Sequence, residues 1–170
     1  MSALPALVPV QEYLHTAYRP DCDYVDGVLV ERNVGEKSHA KLQKQLLLYL
    51  EERRRQWDIF VIQETRIQVS PTRYRVPDVC VIAGPEPDEE IFTQPPFLCI
   101  EILSPEDRMS RMQVKIDDYL AFGVPYVWVI DPQTRKAWIY TAGLIREVRD
   151  GQLRTERPEI TVPLDSLFAD

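Results

Sequence analysis

Hydrophobic residues recur at helical spacing in two long parts of the chain. Between residues 37 and 55 they predict a helix with one buried face, formed by Leu42, Leu46, Tyr49 and Leu50. A second helix is predicted to begin at Ser110, where Gln113 three positions later favours a capping box, and to end at Gly123. A shorter helix is predicted at residues 10–16.

Strand-like segments fill most of the remaining chain. DYVDGVLVER predicts a hairpin around Asp26-Gly27, a favoured turn pair. Apolar runs at 78–83 and 97–103 are typical of strands buried on both faces of a sheet. Further strands are predicted at 59–63, 66–69, 126–131, 136–140 and 144–148, and a helical turn near 164–168. We therefore expect one α/β domain over residues 1–170, with a mixed β-sheet flanked by helices.

The composition is that of an ordinary soluble protein, with 45% hydrophobic and 28% charged residues. No apolar run reaches the ~18 residues that span a bilayer. The N-terminal segment lacks the basic residues of a secretory signal, so we expect a cytoplasmic protein without a membrane partner. Cys22, Cys80 and Cys99 form no CxxC pair, which argues against a disulfide framework and a zinc site.

The net charge of −7 argues against binding nucleic acid through broad charge attraction. Residues 77–107 contain eight acids and neither Lys nor Arg, so this segment carries all of the excess negative charge. A bound metal cation would offset part of it. The alternative for residues 86–90 is an ordinary solvated acidic loop.

Two carboxylates lie in the buried-type strands, Asp78 at the start of one and Glu101 within the other. Such acids are costly to bury unless they are paired, protonated or bound to a metal. If the strands are neighbours, both carboxylates and a backbone carbonyl can supply the oxygen ligands of a Mg²⁺ ion. Alternatively, Asp78 caps a turn, and Glu101 pairs with Arg73, Arg75 or Lys115.

Three further residues are weaker candidates. Lys115 flanks the buried face of the second helix, from which it can approach a metal-bound water or a phosphate; spacing alone favours an exposed Lys115 paired with Asp118. His39 lies on the apolar side of the first long helix and is interpreted as a satisfied core histidine. Glu31 is either a further acid of the metal site or a surface charge, and the same applies to Glu36.

The segments VPDVCVIAG, FLCIEILSPEDR and GVPYVWVIDP, with Lys115 and Tyr119 between the last two, resemble the Uma-type restriction endonuclease family of the PD-(D/E)XK nuclease superfamily. The resemblance implies a restriction-endonuclease-like fold and a Mg²⁺-dependent phosphodiester hydrolase with Asp78 and Glu101 as metal-binding acids. It also implies that the superfamily's lysine, whose usual place is Leu103 here, has moved to Lys115. Proteins of the family often have an acid four residues before this lysine, where this chain has Arg111. His39 matches a histidine of the family's long helix.

The leading hypothesis is a metal-dependent endonuclease acting on DNA. Asp78, Glu101 and the carbonyl of Ile102 would hold Mg²⁺ (or Mn²⁺), Lys115 would assist the water or the phosphate, and His39 is a second-rank catalytic candidate. Because cutting both strands of a duplex suits two-fold symmetry, we expect a homodimer.

Two alternatives remain open. A catalytically inactive nuclease-fold module that binds or oligomerises is favoured by the net charge and by Leu103. A carboxylate-pair hydrolase acting without metal on something other than nucleic acid would use the same two acids.

Overall fold

The computed structural model describes residues 4–169; the expected domain also includes residues 1–3 and 170, which lie outside the described residues. The helices are α1 (Val10–Leu14), α2 (Lys37–Glu52), α3 (Arg54–Trp57) and α4 (Met109–Phe122), followed by a 3₁₀ turn, Leu164–Leu167. The strands are β1 (Asp23–Val25), β2 (Val28–Val30), β3 (Ile59–Gln63), β4 (Ile67–Ser70), β5 (Arg73–Arg75), β6 (Val79–Ala83), β7 (Leu98–Ile102), β8 (Tyr126–Asp131), β9 (Lys136–Thr141), β10 (Leu144–Glu147), β11 (Gln152–Arg154) and β12 (Thr161–Pro163). None of the helices in the described part of the chain is long and apolar enough to cross a membrane.

The larger sheet has six strands in the order β10-β9-β8-β7-β6-β3. All neighbours in it are antiparallel except β7 and β8, which are parallel and are connected through α4. Strands β6 and β7 are neighbours, with Val79 opposite Ile100 and Cys80 opposite Cys99. Asp78 directly precedes β6, and Glu101 follows Ile100 in β7.

Helices cover both faces of this sheet, which confirms the predicted fold class. On one face, α2 packs Leu42, Leu46 and Leu50 against a core that includes Val79 and Ile100. On the other face, α4 packs against the opposite side of the same strands, through the buried residues Met112, Ile116, Tyr119, Cys80 and Cys99. Alternate residues of a strand point to opposite faces, and both faces of this sheet are covered. Every residue of β7 is therefore buried.

A four-stranded sheet in the order β2-β1-β5-β4 lies beside the larger one. Its β1–β2 hairpin turns at Asp26 (φ 50°) and Gly27 (φ 91°), the positive pair of dihedrals that a tight hairpin requires. Strand β5, which the sequence analysis missed, pairs Tyr74 with Tyr24 of β1. This pairing brings the residues that flank Tyr74 close to the start of the hairpin.

The predicted capping box of α4 was wrong. The helix begins at Met109 with Arg108 as its N-cap, and no side chain caps it. Ser110 is already inside the first turn, and Gln113 donates instead to Asp117 at 2.8 Å. The end was predicted correctly, because Gly123 adopts the left-handed conformation (φ 107°) that terminates a helix.

Candidate metal and phosphodiester site

An open cavity of about 690 Å³ lies where the ends of β6 and β7 meet the β1–β2 hairpin and the first turns of α4. Asp78 and Glu101 both line it. Asp78 directly precedes β6, and Glu101 lies in the neighbouring antiparallel strand β7. The two strands therefore bring both carboxylates to one space.

Asp78 is 3% exposed and is held at both carboxylate oxygens. Its Oδ2 accepts the backbone N–H of Ile102 at 2.7 Å, and its Oδ1 accepts Arg32 Nη2 at 2.7 Å. His39 Nε2 lies 3.3 Å from the same Oδ1. Burial acts to raise the pKa of Asp78, but the neighbouring His39 and Arg32 outweigh it, so the net pKa is lowered and the carboxylate stays ionised.

Glu101 is 2% exposed, and two neighbouring side chains contact the same oxygen of its carboxylate. Lys115 Nζ lies 2.9 Å from Oε1, and the Tyr119 hydroxyl donates to the same atom at 2.7 Å. Burial raises the pKa of Glu101 to about 7, although Lys115 and Tyr119 act in the opposite direction. Near neutral pH, a larger fraction of Glu101 than of Asp78 is therefore protonated.

Lys115 is buried, at 8% exposure, and the expected exposed pairing with Asp118 was wrong. Its Nζ donates to the Val76 carbonyl at 3.0 Å and lies 3.5 Å from Asp23 Oδ2, in addition to its contact with Glu101. Burial lowers the pKa of Lys115, but the carboxylates outweigh it and the net pKa is raised. The side chain is therefore an ammonium with one hydrogen bond and two ion pairs.

Asp118 is taken by other partners. Arg73 Nη1 reaches it at 2.8 Å, and Arg75 Nε reaches it at 2.7 Å. Arg73, Arg75 and Lys115 were all considered as partners for Glu101 in the sequence analysis. Of these three, only Lys115 contacts it, and the two arginines connect β5 to α4 instead.

Asp23 is a buried acid of the site that the sequence analysis missed. Its Oδ1 accepts the backbone N–H of Val76 at 2.8 Å, and Arg75 Nη1 donates to its Oδ2 at 3.1 Å. It also lines the cavity. An acid at the first position of the short strand DYV was the available sign, since an unpaired carboxylate in a packed strand is costly.

Arg32 was also missed. It follows the hairpin, its side chain is 5% exposed, and it makes the shortest ion pair with Asp78. Its other terminal nitrogen, Nη1, is buried without a hydrogen-bond partner. A basic residue after a hairpin is ordinarily an exposed surface charge. The contact with Asp78, 46 positions away in sequence, shows that Arg32 is not.

The remaining candidates lie around this centre. His39, interpreted from the sequence as a core residue, is buried but lies on the cavity wall against Asp78. Ile102 also lines the cavity, whereas Glu31 is exposed at its edge. Glu36 is exposed and precedes α2 as its N-cap.

The chain matches the family model Uma2, described as putative restriction endonuclease, over residues 10–166. This span covers most of the sequence. The chain belongs to the Uma2 family. Its fold is also that of a crystal structure of a putative nuclease of family DUF820 from Anabaena variabilis, with a TM-score of 0.82 and 20% identity over 95% of this chain and 97% of that one. The comparison with curated proteins found no match.

In this Uma2 protein, the residues present fit a hard divalent cation. Asp78 has about one of its four lone-pair sites free, and Glu101 has about two, because a carboxylate accepts at about four positions. Within residues 4–169, no cluster of three or more His, Cys, Asp or Glu side chains could hold a metal ion. A two-carboxylate set suits Mg²⁺, which keeps several waters, better than a closed zinc site.

Proposed function

We propose that this protein is a divalent-metal-dependent endonuclease that hydrolyses phosphodiester bonds of DNA. The observation that carries the proposal is the convergence of Asp78 and Glu101 on one cavity, with the Lys115 ammonium 2.9 Å from Glu101. Membership of the Uma2 family supports it as well.

In this proposal, the carboxylates of Asp78 and Glu101 and the carbonyl of Ile102 would hold Mg²⁺ or Mn²⁺. When bound, the ion would supply charge stabilisation at the phosphate and lower the pKa of a water molecule. The protein's part is to keep the ligands in place. The N–H of Ile102 and the guanidinium of Arg32 fix Asp78, and Tyr119 fixes Glu101.

Lys115 would act as a permanent positive charge rather than as a base. Its raised pKa keeps the proton on Nζ, and one hydrogen bond and two ion pairs hold the amine in one position. An ammonium at this depth would stabilise negative charge that develops on the phosphate. The absence of a lysine at position 103 is therefore compensated in space, because α4 delivers a lysine to the same glutamate.

His39 would have a different role. Its contact with Asp78 Oδ1 raises its pKa against the effect of burial, so the imidazole favours the protonated form. It would orient Asp78 and add positive charge beside it. Cleavage of both strands of a duplex would need two active sites, for which a two-fold homodimer is the simplest arrangement.

The experiment is cleavage of a supercoiled plasmid in Mg²⁺ or Mn²⁺ by the wild type, Asp78→Asn and Glu101→Gln. The matched control is Glu90→Gln, in the exposed acidic loop. We expect nicked and linear products from the wild type and the control, and background levels from the two site variants. Equal cleavage by all four proteins would mean a contaminating nuclease. Absence of cleavage by the wild type would favour the inactive nuclease-fold module.

A further inference from the structure

The wall of the cavity at the start of α4 carries two arginines, in a chain whose net charge is −7. Arg108 and Arg111 are both exposed and line the cavity, as does Ser110 between them. Neither arginine side chain makes a hydrogen bond or ion pair with any residue in the described range 4–169. Two uncompensated cations therefore border the same cavity as Asp78 and Glu101.

The N-terminus of α4 adds donors at this place. No side chain caps the helix, and its first turn contains no acid. The N–H groups of Arg111 and Met112 bond to the Arg108 carbonyl, whereas those of Met109 and Ser110 have no acceptor among the described residues. Free N–H groups and the helix dipole together favour an anion at such an end.

Arg32, which lines the same cavity, provides an independent observation. Its side chain is nine-tenths buried against the cavity, and its Nη1 lacks a hydrogen-bond partner. A buried donor without a partner is unfavourable, so native proteins rarely retain one without a ligand or water. Arg32 lines the cavity, so a ligand oxygen that reached Nη1 would supply the missing acceptor.

The segment after Arg32 is attached directly to the start of α4. Asn33 donates to Asp107 Oδ1 at 2.8 Å, and its carbonyl accepts the Ser104 hydroxyl at 2.7 Å. The other oxygen of Asp107 accepts the Ser104 N–H at 2.7 Å. Asp107 is thus occupied within its own loop, and the contacts bring Arg32 and the first turn of α4 to one wall.

We propose that this wall is a phosphate-binding subsite for a DNA phosphodiester other than the one that is cleaved. Arg108, Arg111, the Ser110 hydroxyl and the free N–H groups of the first turn would bind one or two backbone phosphates. Arg32 Nη1 would contact the strand where it continues toward Asp78. The subsite rests on the proposed function for its substrate, and it would position the strand across the metal ligands.

The test measures binding of a fluorescent 20-base-pair duplex by anisotropy, without divalent metal, over a range of salt concentrations. The variant is Arg108→Ala/Arg111→Ala. The control is Lys44→Ala/Arg55→Ala, which removes the same charge from exposed positions of α2 and the segment that follows it. We expect the variant to bind about tenfold more weakly. The slope of log affinity against log salt should fall by about 1 for each lost phosphate contact. The control should bind like the wild type.

A second variant, Ser110→Asp, separates binding from folding. An acid in the first turn stabilises a helix through its dipole, so the thermal midpoint should stay level or rise. The same acid repels phosphate, so DNA binding should weaken. A midpoint that falls together with binding would indicate a structural role and would contradict the subsite.

Equal losses in the arginine variant and the control, or no duplex binding by the wild type, would overturn the subsite. Plasmid cleavage distinguishes this failure from failure of the proposed function. Cleavage that depends on Asp78, with an unchanged salt slope in the arginine variant, would remove the subsite alone. The expected binding pattern without cleavage by the wild type would retain the subsite and remove the nuclease.

Discussion

Replacement of Lys115 by methionine tests whether the buried cluster around Glu101 is a real energetic unit. Methionine keeps an unbranched apolar chain of similar length, so the packing of α4 against the sheet changes little. What is lost is the ammonium, which lies 2.9 Å from Glu101 Oε1, 3.0 Å from the Val76 carbonyl and 3.5 Å from Asp23 Oδ2. The Val76 carbonyl loses its donor, and two buried carboxylates lose a neighbouring positive charge.

The size of the effect follows from this burial. Removing one partner of a buried ion pair costs about 3–5 kcal/mol of the free energy of unfolding, because the other charge stays buried. Glu101 can relieve part of this cost by taking up a proton, since its pKa is already about 7. We therefore expect a loss near the lower limit, about 3 kcal/mol at neutral pH.

The assay is urea unfolding followed by circular dichroism. Lys44→Met makes the same chemical change at an exposed position of α2 and should cost less than about 0.5 kcal/mol. A double-mutant cycle with Glu101→Gln should show a coupling of about 0.5–3 kcal/mol. A loss of less than about 1 kcal/mol in Lys115→Met would refute the reasoning, because an exposed pair has that strength.

Three further predictions concern residues at or near the site. Tyr119→Phe removes a hydrogen bond to a buried carboxylate and should cost about 1.5–3 kcal/mol in urea unfolding; a cost below about 0.5 kcal/mol would contradict the contact with Glu101. Gly27→Ala forces a side chain into φ 91°, with its Cβ 3.1 Å from Leu7 Cδ2, and should cost about 1–2 kcal/mol by the same assay; unchanged stability would contradict the turn geometry. Burial raises the pKa of all three thiols, so dithionitrobenzoate should react slowly with the native protein. In denaturant, the reagent should titrate three thiols. Rapid reaction of the native protein would contradict the burial of Cys22, Cys80 and Cys99.

The two metal-site candidates were predictable because they are exceptions within regular segments. Each is an acid beside or within an apolar run of strand length, and only a sheet buries such runs on both faces. The antiparallel pairing of β6 with β7 agrees with that expectation, and both acids line one cavity. Their roles as metal ligands remain a proposal.

The partners of these acids were not predictable from local pattern. Arg32 reaches Asp78 across 46 positions, and Arg75 reaches Asp23 across 52. Strand β5, which delivers Arg75, reads RYR and has no apolar alternation to identify it. Such contacts depend on which strands become neighbours, and sequence spacing carries no information about that.

Lys115 illustrates the limit of helical spacing. Its position between Met112 and Tyr119 allowed both a buried and an exposed side chain, and the (i, i+3) spacing to Asp118 favoured the exposed one. The choice is decided by Arg73 and Arg75, which occupy Asp118 and leave Lys115 to Glu101. Competition between distant cations determined the pairing.

Titration of Mn²⁺ followed by electron paramagnetic resonance tests the central claim most directly, because it counts bound ions without requiring catalysis. We predict one specific site in the wild type and in Glu90→Gln, and its loss in both Asp78→Asn and Glu101→Gln. Retention of that site in either of the last two variants would contradict the claim that the two carboxylates hold one ion. Loss in Glu90→Gln alone would instead place the ion in the acidic loop.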